Sequence, residues 1–93
     1  MAATLTRPLP RYRCHKQVSA LKIRAVIANP RGYELHFKDE RFCPHEVSVY
    51  WFTKHCPMAG GYFVVYDDGY QSYSPAAAFE AGYTLLPAQE QLT

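Results

Sequence analysis

Apolar and polar positions alternate over residues 18–27: Ser19, Leu21, Ile23, Ala25 and Ile27 fall on one side, Lys22 and Arg24 on the other. A period of two, rich in β-branched residues, predicts a strand. Asn29-Pro30-Arg31-Gly32 follows. Asparagine first, proline second and glycine fourth is type I turn chemistry, because proline presets φ and glycine tolerates the turn exit. Tyr33, Leu35 and Phe37 then alternate with Glu34, His36 and Lys38. The two runs predict a β-hairpin with one apolar and one charged face. Residues 38–41 read as a polar turn, and Phe42-Cys43-Pro44 as a short edge strand that the proline ends.

The stretch 47–56 carries two conflicting signals. The propensity of VSVYWFT favours a strand. Its flanks favour a helix: Ser48 can cap, Lys54 and His55 suit the C-terminal dipole, and Pro57 stops the chain from continuing. A short helix is preferred, with Val49, Phe52 and Cys56 on one face. Residues 62–66, YFVVY, then read as a strand, Asp67-Asp68-Gly69 as a hairpin turn, and Tyr70-Gln71-Ser72-Tyr73 as the returning strand. A capping Ser74, a Pro75 at the first helical position and a terminal Gly82 bracket a helix over 75–81. On it Ala76, Phe79 and Tyr83 line up to dock on the sheet, and Leu85 and Leu86 supply a last strand or anchor.

The pattern therefore predicts a small single-domain α+β fold. Two β-hairpins form a curved sheet or partly open barrel, with one short helix between them and another after Ser74. The predicted core is Leu21, Ile23, Ile27, Leu35, Phe37, Val49, Phe52, Val64 and Phe79. Residues 1–11 are expected to be a flexible N-terminal arm, 12–86 the domain, and 87–93 a frayed tail.

Composition narrows the class. At 93 residues there is room for one domain and one small core. A content of 48% hydrophobic, 15% aromatic and 19% charged residues is globular rather than disordered. Apolar runs fall far short of the ~20 residues a membrane helix needs, and the N-terminus offers no signal-peptide core. Three cysteines, an odd number, suit a reducing compartment better than a disulfide framework. The expected setting is cytoplasmic, with no membrane partner. Net charge is +2, yet residues 1–58 carry all ten Lys and Arg against four acids (+6), and residues 59–93 carry four acids alone (−4). Such asymmetry fits either an anionic partner or two halves that attract each other across one fold.

One group of residues has a recognisable look: Tyr12-Arg13-Cys14-His15-Lys16, Ala20-Leu21-Lys22-Ile23, Lys54-His55, the run GYFVVYDDGY over 61–70, Ser74-Pro75, Phe79 and Gly82-Tyr83. Through them the chain resembles a group of small uncharacterised proteins of tailed phages and prophages. That group shares a front YxCHKxVxAxKI and a back GxYxVVYxDGYxSxSPxxxFxxGY. The resemblance covers about residues 12–86. It implies a phage or prophage origin, a cytoplasmic setting in the infected bacterium, and no assigned chemistry. Cys43 and Cys56 lie outside the shared pattern.

Candidate chemistry divides into three classes. Cys14, Cys43, His45 and Cys56, with His15 and His55, supply ligand types for a zinc-stabilised domain. No CxxC knuckle accompanies them, and adjacent Cys-His pairs point to opposite sides of an extended chain. Arg11, Tyr12, Arg13, Lys22 and Arg24, with Arg7 and Lys16, supply phosphate contacts and a stacking ring for a nucleic acid. Tyr66, Tyr70 and Tyr73 around the Asp67-Asp68-Gly69 turn supply an aromatic surface for a protein partner. Enzyme grammar is missing: nothing orients a cysteine–histidine pair, the two aspartates are explained by the turn, and Gly60-Gly61 is no phosphate loop. The expected function is thus non-enzymatic and needs no cofactor. It is a phage-derived binding protein that inhibits or redirects a host factor or defence complex, or assists assembly. A homodimer is compatible with so small a core.

Overall fold

The computed structural model describes residues 8–87. The elements are β1 (Val18–Asn29), β2 (Gly32–Phe37), β3 (His45–Ser48), α1 (Val49–His55), β4 (Tyr62–Tyr66), β5 (Gln71–Ser74) and α2 (Ala76–Gly82). Every strand pairing is antiparallel, and the sheet order is β3-β2-β1-β4-β5. This is the predicted small α+β domain: two hairpins, one helix between them and one after the second. Residues 8–17 carry no helix or strand and are exposed. Most of the expected arm and tail falls on residues 1–7 and 88–93, which lie outside the described residues.

β1 is central because it is long enough to serve both hairpins. Its residues 18–22 pair with β4, and its residues 23–29 pair with β2. Between Ile23, opposite Phe37, and Ala25, opposite His36, the register slips by one, leaving Arg24 as an extra residue. Such a bulge bends the strand and transfers later side chains to the other face. Val26, opposite Leu35, consequently packs on the core. Ile27, opposite Glu34, is 47% exposed, which corrects its predicted core position.

Three further boundaries differ from the predicted ones. Phe42-Cys43-Pro44 is not a strand; the edge strand β3 starts just beyond the proline, at His45. The stretch 47–56 satisfies both of its signals in turn. Val47 and Ser48 finish β3, and the Ser48 hydroxyl then accepts a hydrogen bond from the Trp51 N–H (3.0 Å) to start α1. α1 turns inward with Trp51 and with Phe52, which stacks on Tyr33 at 3.7 Å. Val49 and Cys56, expected on the buried face, are exposed. α2 starts one residue later than predicted: Ser74 ends β5, and Pro75 occupies the cap position without a side-chain bond.

The core consists of Ile23, Leu35, Phe37, Val47 and Phe63, with Leu21, Val26, Tyr33, Trp51, Val65 and Tyr73 packed around it. The sheet stays open between its edge strands β3 and β5, and side chains bridge the gap. His45 Nε2 lies 3.3 Å from Gln71 Oε1, and Trp51 Nε1–H donates to the Gln71 carbonyl at 3.2 Å. The His45 ring rests 4.8 Å from that of Phe63. α1 thus sits against the open seam, holding it through an indole that is half-buried and fully satisfied.

Candidate interaction surface

The β4–β5 turn fixes two tyrosines side by side. Gly69, at φ 90°, donates its N–H to the Tyr66 carbonyl (2.8 Å), Tyr66 N–H donates to the Tyr70 carbonyl (2.9 Å), and Asp68 Oδ1 accepts the Tyr70 N–H (2.9 Å). Only a glycine takes that φ without strain. The Tyr66 and Tyr70 rings lie 5.9 Å apart. Two other parts of the chain meet them there. The extended segment just before β1 places Lys16 Nζ over the Tyr66 ring at 5.3 Å, and the last turn of α1 places Lys54 Nζ over the Tyr70 ring at 5.7 Å. Both distances are within the range of cation–π attraction. His55 meets Tyr70 edge-on at 6.2 Å and packs on Trp51 at 4.6 Å. Burial, and then the neighbouring Lys54 charge, push its pKa below the ordinary imidazole value. Both effects favour the neutral imidazole.

Tyr73 does not belong to this surface. It pairs with Phe63, faces the interior and packs on the core. Its ring lies so close to Gly61 that a Cβ there would overlap it. Alternation along β5 accounts for the difference from its expected exposure.

The basic candidates separate. Arg11, Tyr12 and Arg13 are exposed, Tyr12 at 93%, and make no hydrogen bond or ion pair among the described residues. Arg24 is exposed at the bulge. Lys22 is occupied: its Nζ donates to Glu80 Oε2 (3.2 Å) and lies 5.3 Å over the Tyr62 ring. The Tyr62 hydroxyl donates to the same carboxylate oxygen (2.8 Å), while Phe79 stacks between Tyr62 (4.2 Å) and Tyr83 (4.6 Å). These bonds from Tyr62 and Lys22 lower the Glu80 pKa, and the bond to Glu80 raises those of Lys22 and Tyr62. This group clasps α2 to the outer face of β1 and β4. Glu80 has no signature in the sequence, since its partners lie 58 and 18 residues away.

The zinc candidates do not converge. Cys14, Cys43 and Cys56 are free and exposed, and His45 is engaged at the β3–β5 seam. Among the described residues no group of three or more His, Cys, Asp or Glu is placed to hold a metal ion. An open groove of about 990 Å³ runs between α2, residues 83–86 and strands β1 and β4. Its lining includes no histidine or cysteine, and its one acid, Glu80, is already bonded to Tyr62 and Lys22. Among the described residues, no helix is long and apolar enough to cross a membrane.

No protein-family model matches the chain, and no curated protein does. Among solved structures, the fold is similar to that of a phage decoration protein. The structure is the NMR solution structure of the monomeric form of the phage L decoration protein. The TM-score is 0.61 and the sequence identity 32%, over 87% of this chain. The match covers 60% of that protein, so the chain spans about three-fifths of its length.

Proposed function

We propose that the chain is a decoration protein of a tailed phage: a non-enzymatic accessory that binds the assembled protein shell of the particle. One observation carries this reading, the similarity to the phage L decoration protein at 32% identity and a TM-score of 0.61 across 87% of the chain. Fold alone does not imply function; here sequence identity across nearly the whole chain accompanies it. The partner in this reading is a phage protein, and the chain works on the particle rather than free in the cytoplasm. Inhibition of a host factor or defence complex has no structural observation behind it. Of the nucleic-acid candidates, Lys22 is tied to Glu80 while Arg11, Tyr12, Arg13 and Arg24 stay exposed, and none of the comparisons supports that reading.

Co-sedimentation tests the proposal. Purified chain is mixed with nuclease-treated shells of the phage or prophage that encodes it, assembled without it. Decoration gives saturable, nuclease-resistant binding at a fixed ratio to the shell subunit. A chain left wholly in the supernatant would overturn the reading.

A further inference from the structure

Building on the decoration reading, we infer that Lys16, Lys54, Tyr66 and Tyr70 form the surface that docks an acidic segment of the shell protein. The segment just before β1, the end of α1 and the β4–β5 turn are separate in sequence, and the fold brings them to one place. The charges there are unspent. Among the described residues, the lysine and arginine ion pairs are Lys22–Glu80, Arg31–Glu46 and Arg41–Asp39. Lys16 and Lys54 take no part in them. Each rests on a ring, which orients the ammonium group without consuming its N–H donors. Anionic oxygens, those of a carboxylate among them, are the acceptors that such donors bind strongly.

The local charge balance agrees. Asp67 and Asp68 are the acids of the adjoining turn, and the bond accepted from the Tyr70 N–H orients Asp68 without cancelling its charge. Against them stand Lys16, Lys54 and, three to five residues before Lys16 in the exposed segment ahead of β1, Arg13 and Arg11. The two tyrosines between the lysines add rigid, amphipathic contact area, the kind favoured at interface centres. A nucleic acid fits less well, because base stacking needs an open ring face. Tyr66 and Tyr70 each have one face under a lysine, whereas Tyr12, the 93% exposed ring ahead of β1, lies apart from this surface.

The test uses the full chain, nitrogen-15 labelled, and two probes: a Glu-rich peptide and a single-stranded oligonucleotide of equal charge. The peptide is expected to shift the amide signals of Lys16, Lys54, Tyr66 and Tyr70 together. The double variant Lys16→Glu, Lys54→Glu should weaken peptide binding at least tenfold while its spectrum stays dispersed. The same variant should weaken shell binding by a similar factor. Peptide shifts elsewhere, or tighter binding of the oligonucleotide at these residues, would overturn the inference. Equal shell binding by the variant and the parent chain also overturns it, yet leaves the decoration reading standing. Failure of the parent chain to bind shells removes that reading and, with it, the shell protein as occupant.

Discussion

Asp39 holds the turn after β2 through Arg41. Its carboxylate accepts hydrogen bonds from Arg41 Nε (3.0 Å), Nη2 (2.7 Å) and the backbone N–H (3.1 Å). The side-chain bonds, and then the backbone bond, lower its pKa from 3.8 to about 2. A carboxylate depressed in the folded state contributes stability above its unfolded pKa, and that contribution is lost as the pH falls through the folded value. The window here runs from 3.8 down to about 2, and the pair is exposed, so the effect on stability is small. Following the Asp39 carboxyl carbon by NMR should give a midpoint near 2, and Arg41→Ala should return it toward the ordinary value. No change on that substitution would mean the pair is not formed. Gly32 gives a larger effect. It sits at φ 155°, and a Cβ there would run into the Val47 carbonyl and lie 3.3 Å from the Ser48 backbone. Backbone cannot swing aside, so Gly32→Ala should cost about 2–3 kcal/mol in urea unfolding. Gly60, at φ 95° with nothing within 4 Å, should cost about 1 kcal/mol on the same change. Equal costs would show that crowding between β2 and β3 is not the cause. At this scale the turn residues were legible, because Gly and Asp have local reasons to be there. The bulge at Arg24 was not. Val26 and Ile27 are both apolar, so alternation reads equally well on either side of the slip.

α2 has seven residues, below the ~12–15 that an isolated helix needs for marginal stability. It survives by docking: Phe79 lies between Tyr62 and Tyr83, and Glu80 takes the Tyr62 hydroxyl and the Lys22 ammonium. Phe79 is half-buried, so Phe79→Ala should cost about 2 kcal/mol, below the range for fully buried phenylalanine. Hydrogen exchange should then show α2 amides losing protection while those joining β1 to β2 keep theirs. Uniform loss across the sheet would mean that α2 is part of the cooperative core rather than an addition to it. The docking of Phe79 and Tyr83 was visible from their spacing. The start of α2 was not, since serine before proline suits the end of a strand as well as a cap. In α1 the split at Ser48 reconciles strand propensity with capping signals, and it explains why Val47 is buried while Val49 is 57% exposed.

At the level of the whole molecule, β1 ties two hairpins into one sheet, and His45, Trp51 and Gln71 bridge its open side. The fold class was readable because each hairpin announces itself locally. The candidate surface was readable only in pieces: Tyr66 and Tyr70 as one, the basic stretch before β1 as another, Lys54 as a helix end. That these pieces meet is a tertiary fact, and periodicity carries no trace of it. It also parted Tyr73 from its neighbours and tied Lys22 to Glu80 on the outer face. If docking on a shell uses the lysines, binding should weaken as salt rises, because exposed charges separated by more than about 8–10 Å are screened at physiological ionic strength. Binding indifferent to salt would point to the apolar surfaces instead. The most direct test is cryo-electron microscopy of phage shells with and without added chain. Decoration predicts regularly spaced extra density on the outer surface, large enough for the five-stranded domain, with the β4–β5 turn toward the shell. Bare shells at saturating chain would contradict it.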